Sequence, residues 1–354
     1  MKKTKTIARR ITGRLLILTL VLVVCASLFF YHFTLKTVIE LYAENFHTKM
    51  LINYEYTRRV LSDVYVSVTN NVYYIEHTLD KPEGQKDVME RIVRHGTRVH
   101  SCGMNFIKDF YPQKGHRYCP FAWRNPYNPD EILTEIKGDH DYDYLDDRWF
   151  REVIEGDTAK WSEPFYDGYD NKTALAAYMV PIHDAEGRPV AVLGADVSLG
   201  WLTKKLAETD SAYNARSSFA TKVLGLKSES FIINHDGTFI THPEGEHLIK
   251  GVFYKLIKPR GNSDIERLVE KMKAGQMSEN ESDARYLFNG QESYLFYTPV
   301  KYTDWMMVSI VPCNSIDMLA ITYGIEIIAI AFLAMLLLVL ICHYFLIRLH
   351  VGQQ

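Results

Sequence analysis

Cysteine is scarce, five in 354 residues, and three of the five (Cys25, Cys313 and Cys342) lie in or beside long apolar runs. That excludes a small disulfide scaffold. The other two, Cys102 and Cys119, fall on consecutive strand-like runs, so a disulfide between them stays open. His95, His100 and His116 nearby raise zinc, but no ligand pair has the two-to-four-residue spacing of structural sites, and no metal or cofactor is expected. Catalytic signatures are missing too: there is no Gly-x-Ser-x-Gly elbow, no His-Glu-x-x-His helix and no Gly-rich phosphate loop. His235, Asp236 and His242 belong to a hairpin where they read as exposed. Asp139-His140-Asp141-Tyr142-Asp143 begins like a calcium loop. Tyr144 and Phe150 stand where its Gly and Glu should be, which rejects an EF-hand. Positive charge is not in excess, with 40 Lys+Arg against 43 Asp+Glu, and this excludes a nucleic-acid binder driven by counterion release.

Two stretches contain no charge at all: 19 residues from Leu15 to Phe33 and 21 from Ile327 to Ile347. Each reaches the roughly 20 residues that a helix needs to cross a bilayer. Lys2, Lys3, Lys5, Arg9, Arg10 and Arg14 precede the first, and Arg348 follows the second. The positive-inside rule then places both ends in the cytoplasm and residues 34–318 outside, in a two-pass plasma-membrane protein with lipid around both spans. A cleaved signal peptide is the alternative for the first run. Val24-Cys25-Ala26-Ser27 offers no small-x-small cleavage site, and a bulky Val sits where a lipoprotein box needs a small residue, so an uncleaved anchor is favoured.

Between the spans, no Pro or Gly occurs from Thr34 to Leu79, and apolar residues recur at helical spacing (Phe46, Met50, Tyr54, Leu61, Tyr65, Val68, Val72, Ile75). This predicts a stalk helix of about 45 residues, about 68 Å long, within a segment 34–96 closed by Lys81-Pro82-Glu83-Gly84. Residues 97–212 form a first module of short strands: Val99–Phe110, Arg117–Trp123, Ile132–Ile136, Ala174–His183 and Pro189–Leu199. An aromatic and acidic stretch, Asp139–Asp170, interrupts them, and a helix over Trp201–Ala212 follows. Residues 213–318 form a second module with two hairpins, at Asp236-Gly237 and Asn289-Gly290, a helix over Ile265–Ala274 and a last strand, Trp305–Val311. Both modules carry an aromatic-x-x-Pro-apolar strand: Tyr178 to Ile182 in the first and Phe296 to Val300 in the second.

The aromatic and acidic stretch has the composition of a pocket for a small cationic or zwitterionic ligand, with rings for walls and a carboxylate for an ammonium. Asp196 is the sharpest single residue, because a carboxylate inside the apolar run Val190–Val197 is costly unless paired. Hand alignment sets Val311 at the corresponding place in the second module, which favours the first as the binding one.

This order and spacing resembles the double Cache family, the extracytoplasmic sensor domains of bacterial receptors. The resemblance rests on Trp149-Phe150, Trp161 to Asp167, Tyr178 to Ile182, and Val192 to Leu199 with its Gly-x-Asp-x-Ser-Leu ending. It implies an α+β fold, a long stalk helix carrying two PAS-like antiparallel-sheet modules between two transmembrane helices, and a homodimer that binds a small molecule in the membrane-distal module. On these grounds the candidate ligand-binding residues are Tyr144, Asp147, Trp149, Trp161, Tyr166, Asp167, Tyr178 and Asp196, with no catalytic residue. In amino-acid-binding members an Arg two places before the Trp grips the ligand carboxylate. Here that place is Asp147, Arg148 directly precedes Trp149, and Phe150 replaces a Tyr, which leaves amine, amino acid and carboxylate all open. The resemblance also implies an output domain beyond the membrane, such as the histidine kinase of a two-component system, a phosphatase, a cyclase or a chemotaxis signalling helix. None is present, and Arg348–Gln354 resembles the approach to a HAMP coiled coil, so a truncated chain is expected. A tethered envelope enzyme, or an ectodomain that binds a protein partner, is the alternative.

Overall fold

The computed structural model describes residues 2–168, 172–215, 227–243, 251–259, 265–277 and 285–351. Tyr169 and Asp170 of the aromatic stretch, and the end of the chain at 352–354, lie outside them. Helix α1 (Lys2–Glu76) is continuous for 75 residues, so the first apolar run and the stalk are one rod. The expected single stalk segment is broken at its far end. A turn after Glu76 and a 3-10 turn at Pro82–Gly84 reverse the chain into a separate helix, α2 (Gln85–His95). Proline at the first position of that turn gives up a backbone donor that has no partner there. The far end of α2 is held by Arg124, whose guanidinium donates to the carbonyls of Val93 and Gly96 and, at 2.9 Å, of Val99.

Two antiparallel sheets hang on this rod. The N-terminal module orders its strands β3-β2-β1-β7-β6-β4, with β5 also pairing β6. Their ranges are β1 Ser101–Phe106, β2 Cys119–Asn125, β3 Asn128–Lys137, β4 Lys160–Trp161, β5 Phe165–Tyr166, β6 Ala174–His183 and β7 Pro189–Ser198. The stretch with little visible period contains a nine-residue helix, α3 (Arg148–Gly156), which starts at Asp147 in the N-cap position. Helix α4 (Leu199–Ala215) leads to the C-terminal module. There the order is β10-β11-β12-β13-β8-β9, built from β8 Glu229–Ile233, β9 Phe239–Thr241, β10 Ile257–Lys258, β11 Arg285–Phe288, β12 Gln291–Pro299 and β13 Met306–Pro312. Two helices, α5 (Phe253–Leu256) and α6 (Ile265–Lys273), cover one face. Asn289 and Gly290 both take positive φ, 49° and 80°, in the two-residue turn between β11 and β12, as that hairpin type requires.

Read outward from their central strands, the two sheets share one topology. β8 matches β1, β13 matches β7, and β12 matches β6. Pro181 faces Val192 across β6–β7, and Pro299 faces Met306 across β12–β13. Counting four residues from each pair sets Asp196 opposite Ala177 and, in the second sheet, Ile310 opposite Leu295. The hand alignment of Asp196 with Val311 is therefore one residue out. Strand side chains alternate faces, and Val311 joins the helix-side core whereas Ile310 joins the far-side cluster.

Alternation also decides the cysteines. Cys102 lies on the helix side, with its thiol 3.6 Å from Met89 Sδ, and Cys119 lies on the opposite side among Tyr144, Phe150 and Val153. Both are free, so the disulfide is ruled out by a difference of face. His242 is not exposed as expected; it is 4% accessible and packs on the rings of Phe231 and Phe239.

Helix α1 meets both modules through aromatic rings. Phe46 stacks on Phe296 with centroids 5.5 Å apart, and Tyr65 lies 5.3 Å from Tyr178 and 6.0 Å from Tyr302. A buried ion pair, Lys49 with Asp210, ties α1 to α4. Asp210 also accepts from the Ser230 amide at 2.6 Å and the Ser230 hydroxyl at 2.9 Å. Burial pushes Lys49 down and Asp210 up, each toward its neutral form, against their mutual attraction. Helix α7 (Cys313–Val351) follows β13 without a break. Among the described residues one stretch, Ile321–Ile341, is long and apolar enough to cross a bilayer, and Leu20–Phe33 of α1 is a shorter apolar stretch. The two helices touch where Gly324 passes Tyr31, at a separation a Cβ would close to 2.5 Å.

Candidate functional site

The face of the N-terminal sheet turned away from α1 carries a run of small and polar residues beside the cluster of Cys119, Tyr144, Phe150 and Met179. In cross-strand register it is made by Ser101, Gly103, Ala177, Gly194 and Asp196. Gly103 is required here. A Cβ on it would lie 2.8 Å from the Phe121 ring, which rests on the sheet at that point. Phe121 stacks on Trp123, centroids 5.7 Å apart, to form one wall. Lys137, on β3, sets its ammonium 3.8 Å from the centre of the Phe121 ring and 3.6 Å from a Glu135 oxygen.

Asp196 sits at the centre of this floor. Its Oδ2 accepts from the Ser101 hydroxyl at 2.5 Å, a short charge-assisted bond. Asp167 follows β5, its amide donates to the Thr173 carbonyl at 2.8 Å, and its carboxylate stands 3.6 Å from His100 Nε2. Burial pushes the Asp196 carboxyl up to about 7, the negative Asp167 adds to that, and the Ser101 bond and Lys137 oppose it. A carboxyl held up by burial and by a neighbouring negative charge marks a place where a bound cation is stabilising.

The expected site residues divide into four groups. Asp167 and Asp196 come together on the floor, and Tyr166, about a third exposed, lies beside Asp167 on β5. Asp147 and Trp149 form a second pair at the start of α3. The Trp149 indole N–H donates to Asp147 Oδ2 at 2.8 Å, and the Tyr142 hydroxyl donates to the same oxygen. Tyr144 is core, 4% accessible, with its hydroxyl donating to the Phe106 carbonyl at 2.8 Å. Trp161 and Tyr178 lie on the other face. They pair with each other in register, and each sits 5.4 Å or less from rings outside the pocket, Trp305 and Tyr65 respectively. The cause is period two: Ala177 faces the floor, so Tyr178 and its partner Trp161 face α1. Ser101, His100, Lys137, Phe121 and Trp123 were not foreseen. Their signal was present in β1, where Ser101, Gly103 and Asn105 alternate with buried Cys102, Met104 and Phe106.

The acids of the calcium-like run serve as loop caps. The amides of His116 and Arg117 donate to Asp139 at 3.0 and 2.8 Å, and the Gly138 amide donates to Asp141 at 2.6 Å.

In the second sheet the equivalents of Gly103 and Gly194 are Phe231 and Val308, paired across β8–β13. Phe239, Phe253 and Phe288 close over Phe231 with centroids 5.1 to 6.0 Å away. Two sheets of one topology, one with small and polar residues at the centre of its far face and one with large apolar residues there, fit a tandem sensor fold. The Cache domain family dCache_1 matches residues 30–317. The chain belongs to the Cache domain family. No curated protein sequence matches it. Among solved structures, this Cache chain is similar to an extracellular domain assigned to a histidine kinase, soHK1S-Z6, at 16% identity and a TM-score of 0.58 over 79% of this chain and 97% of that one. It is also similar to the periplasmic sensory domain of the Campylobacter jejuni chemoreceptor Tlp1, at 10% identity and 0.55 over 75% and 92%. The ligand-binding domain of the Pseudomonas aeruginosa PAO1 amino acid chemoreceptor PctB, in complex with L-Arg, scores 15% and 0.51 over 78% and 97%. These matches share the fold of sensor domains, which are signal-transduction modules and not enzymes.

Proposed function

We propose that this Cache protein is a membrane-anchored receptor whose N-terminal module binds a small ammonium-bearing molecule, an amine or an amino acid. The observation that carries the reading is the Asp196 carboxylate within the sheet, among small residues and close enough to Asp167 for the second charge to raise its proton affinity. A ligand ammonium would sit between these carboxylates, with Phe121, Trp123 and Trp149 as apolar and cation–π surfaces. The PctB ligand in its solved complex is L-Arg, and an ammonium is common to every amino acid. Trp161 and Tyr178 are left out of the site.

The membrane reading completes the proposal. Residues 15–33 and 319–347 cross the bilayer, both ends face the cytoplasm, and residues 34–318 lie outside, with 97–212 as the membrane-distal module and 213–318 as the proximal one. The receptor acts as a homodimer. Ligand binding shifts the distal module against α1, the aromatic contact of Trp161 with Trp305 passes the shift to the proximal sheet, and α7 carries it across the membrane. Such a two-state shift needs only a few kcal/mol of differential affinity.

The test is a thermal-shift and calorimetric screen of the full chain in lipid nanodiscs against amines, L-amino acids and carboxylates. An ammonium-bearing hit at 100 times its Kd should add about 2.7 kcal/mol of stability. A panel without hits, or a hit whose affinity is the same in Asp196→Asn, would remove the proposal.

A further inference from the structure

A second concavity lies at the base of the N-terminal module, below the edge of the sheet and outside the floor just described. Its volume is about 160 Å³, and it is lined by Thr97, Arg98, Val99, His100, Arg124, Val197, Ser198 and Trp201. Drug-sized pockets hold about 300–1,000 Å³, so its occupant is small. Two guanidiniums line it and no acid does. Arg124 spends its donors on the carbonyls that end α2, but its charge remains. Arg98 sets its guanidinium carbon over the Trp201 ring, 4.0 Å from its centre, and among the described residues its guanidinium makes no hydrogen bond or ion pair.

The nearby acids are engaged elsewhere. Asp63 of α1 accepts from the Thr97 hydroxyl at 3.2 Å and the Arg98 amide at 2.9 Å. Asp167 faces His100 from the pocket side. Glu208 pairs with Lys205 at 2.6 Å. The start of α4 adds a partial positive charge at the rim, with Ser198 Oγ accepting from the Trp201 amide at 3.3 Å. The walls are apolar: Val99 and Val197 are about 1% accessible, and Trp201 supplies the remaining face.

We propose that this cavity is a second ligand site, for a small organic carboxylate, with the Arg98 guanidinium holding the carboxylate and Trp201 packing against the apolar body. A planar guanidinium presents two parallel N–H donors that match a carboxylate, and an anion with an apolar body uses both halves of the lining. A bound carboxylate would join the loop at 97–99 to the first turn of α4, the helix that leads to the second sheet. The site is independent of the ammonium pocket and does not rest on that reading.

The test uses the full chain in nanodiscs, titrated with sodium propionate and sodium benzoate at constant ionic strength, with sodium phosphate and sodium chloride as controls. Binding is read by calorimetry and by the fluorescence of Trp201. The expected result is saturable binding of a carboxylate that weakens at least tenfold in Arg98→Gln and recovers in part in Arg98→Lys. Arg98 is exposed, so these variants should fold, and circular dichroism checks that they do. Absence of saturable binding, binding of phosphate alone, or carboxylate binding that survives Arg98→Gln would each overturn the proposal.

Discussion

The two sheets of this protein are built to one plan and differ in what stands on the far face. In the N-terminal module that face carries Ser101, Gly103, Ala177, Gly194 and Asp196. At the same register positions the C-terminal module carries Glu229, Phe231, Leu295, Val308 and Ile310. Phe231 and Val308 fill the centre of the second face from within its own paired strands, where in the first module the Phe121 ring lies over Gly103. Ile310 stands where Asp196 does, and Glu229, opposite it, takes the place of Ser101. A common fold thus yields one module with small and polar residues at the centre of its far face and one with large apolar residues there, and five positions account for the contrast.

The strongest way to break this comparison is to exchange its central residues. Ile310→Asp sets a carboxylate among Phe231, Tyr297 and Val308 without the Ser101 partner that Asp196 has. It should cost about 4 kcal/mol or more in urea unfolding, and a loss under 1 kcal/mol would mean that the second face is open after all. Phe231→Ala, which recreates the small floor of the first module, should cost about 3–5 kcal/mol. A structure of that variant should show a cavity over β8 if its neighbours do not collapse into it.

On the N-terminal side the effects fall on binding. Asp196→Asn should weaken an ammonium ligand by about 10- to 100-fold, about 1.4–2.8 kcal/mol, without lowering the melting temperature near neutral pH, because the variant no longer buries an ionisable acid. A drop in stability as large as that in binding would make Asp196 structural. The pH dependence sharpens the point. The folded carboxyl, near 7, lies above its unfolded value of about 3.9, so the folded state holds the proton more tightly and stability falls as pH rises from about 4 to 7. The same ionisation supplies the charge that an ammonium needs. Ligand affinity should therefore fall by up to about tenfold per pH unit below about 7, and this dependence should be absent in Asp196→Asn. A pH-independent affinity in the parent chain would exclude an ionised Asp196 from the site.

How much of this was legible beforehand varied with the range of the signal. The stalk part of α1 was legible, because no Pro or Gly interrupts the helical period from Thr34 to Leu79. The hairpin at Asn289-Gly290 was legible, because its dihedrals are a local property of those two residues. Helix α3 was not: its nine residues lie in a stretch dense with Tyr and Asp, and its apolar face is only Phe150 and Val153. Asp196 could be singled out as a carboxylate in an apolar run, but its neighbours could not. Ser101 is 95 residues away in the chain, and nothing local pairs β1 with β7. Trp161 and Tyr178 had the composition of pocket walls, and the period of the strand sent them to the opposite face. Whether Cys102 could meet Cys119 was decided in the same way.

The amino-acid sequence by itself determined the local grammar of this protein: a long apolar-faced helix, short alternating strands, Gly-containing turns and two uncharged runs, each set by the preferences of neighbouring residues. Tertiary structure decided which residues share a face. Cross-strand register brought Ser101, Asp167 and Asp196 together, separated Trp161 and Tyr178 from them, and set Phe231 where Gly103 stands in the other sheet. A one-residue change of register reverses the face of every side chain on a strand, and register is fixed by pairing between segments far apart in the chain.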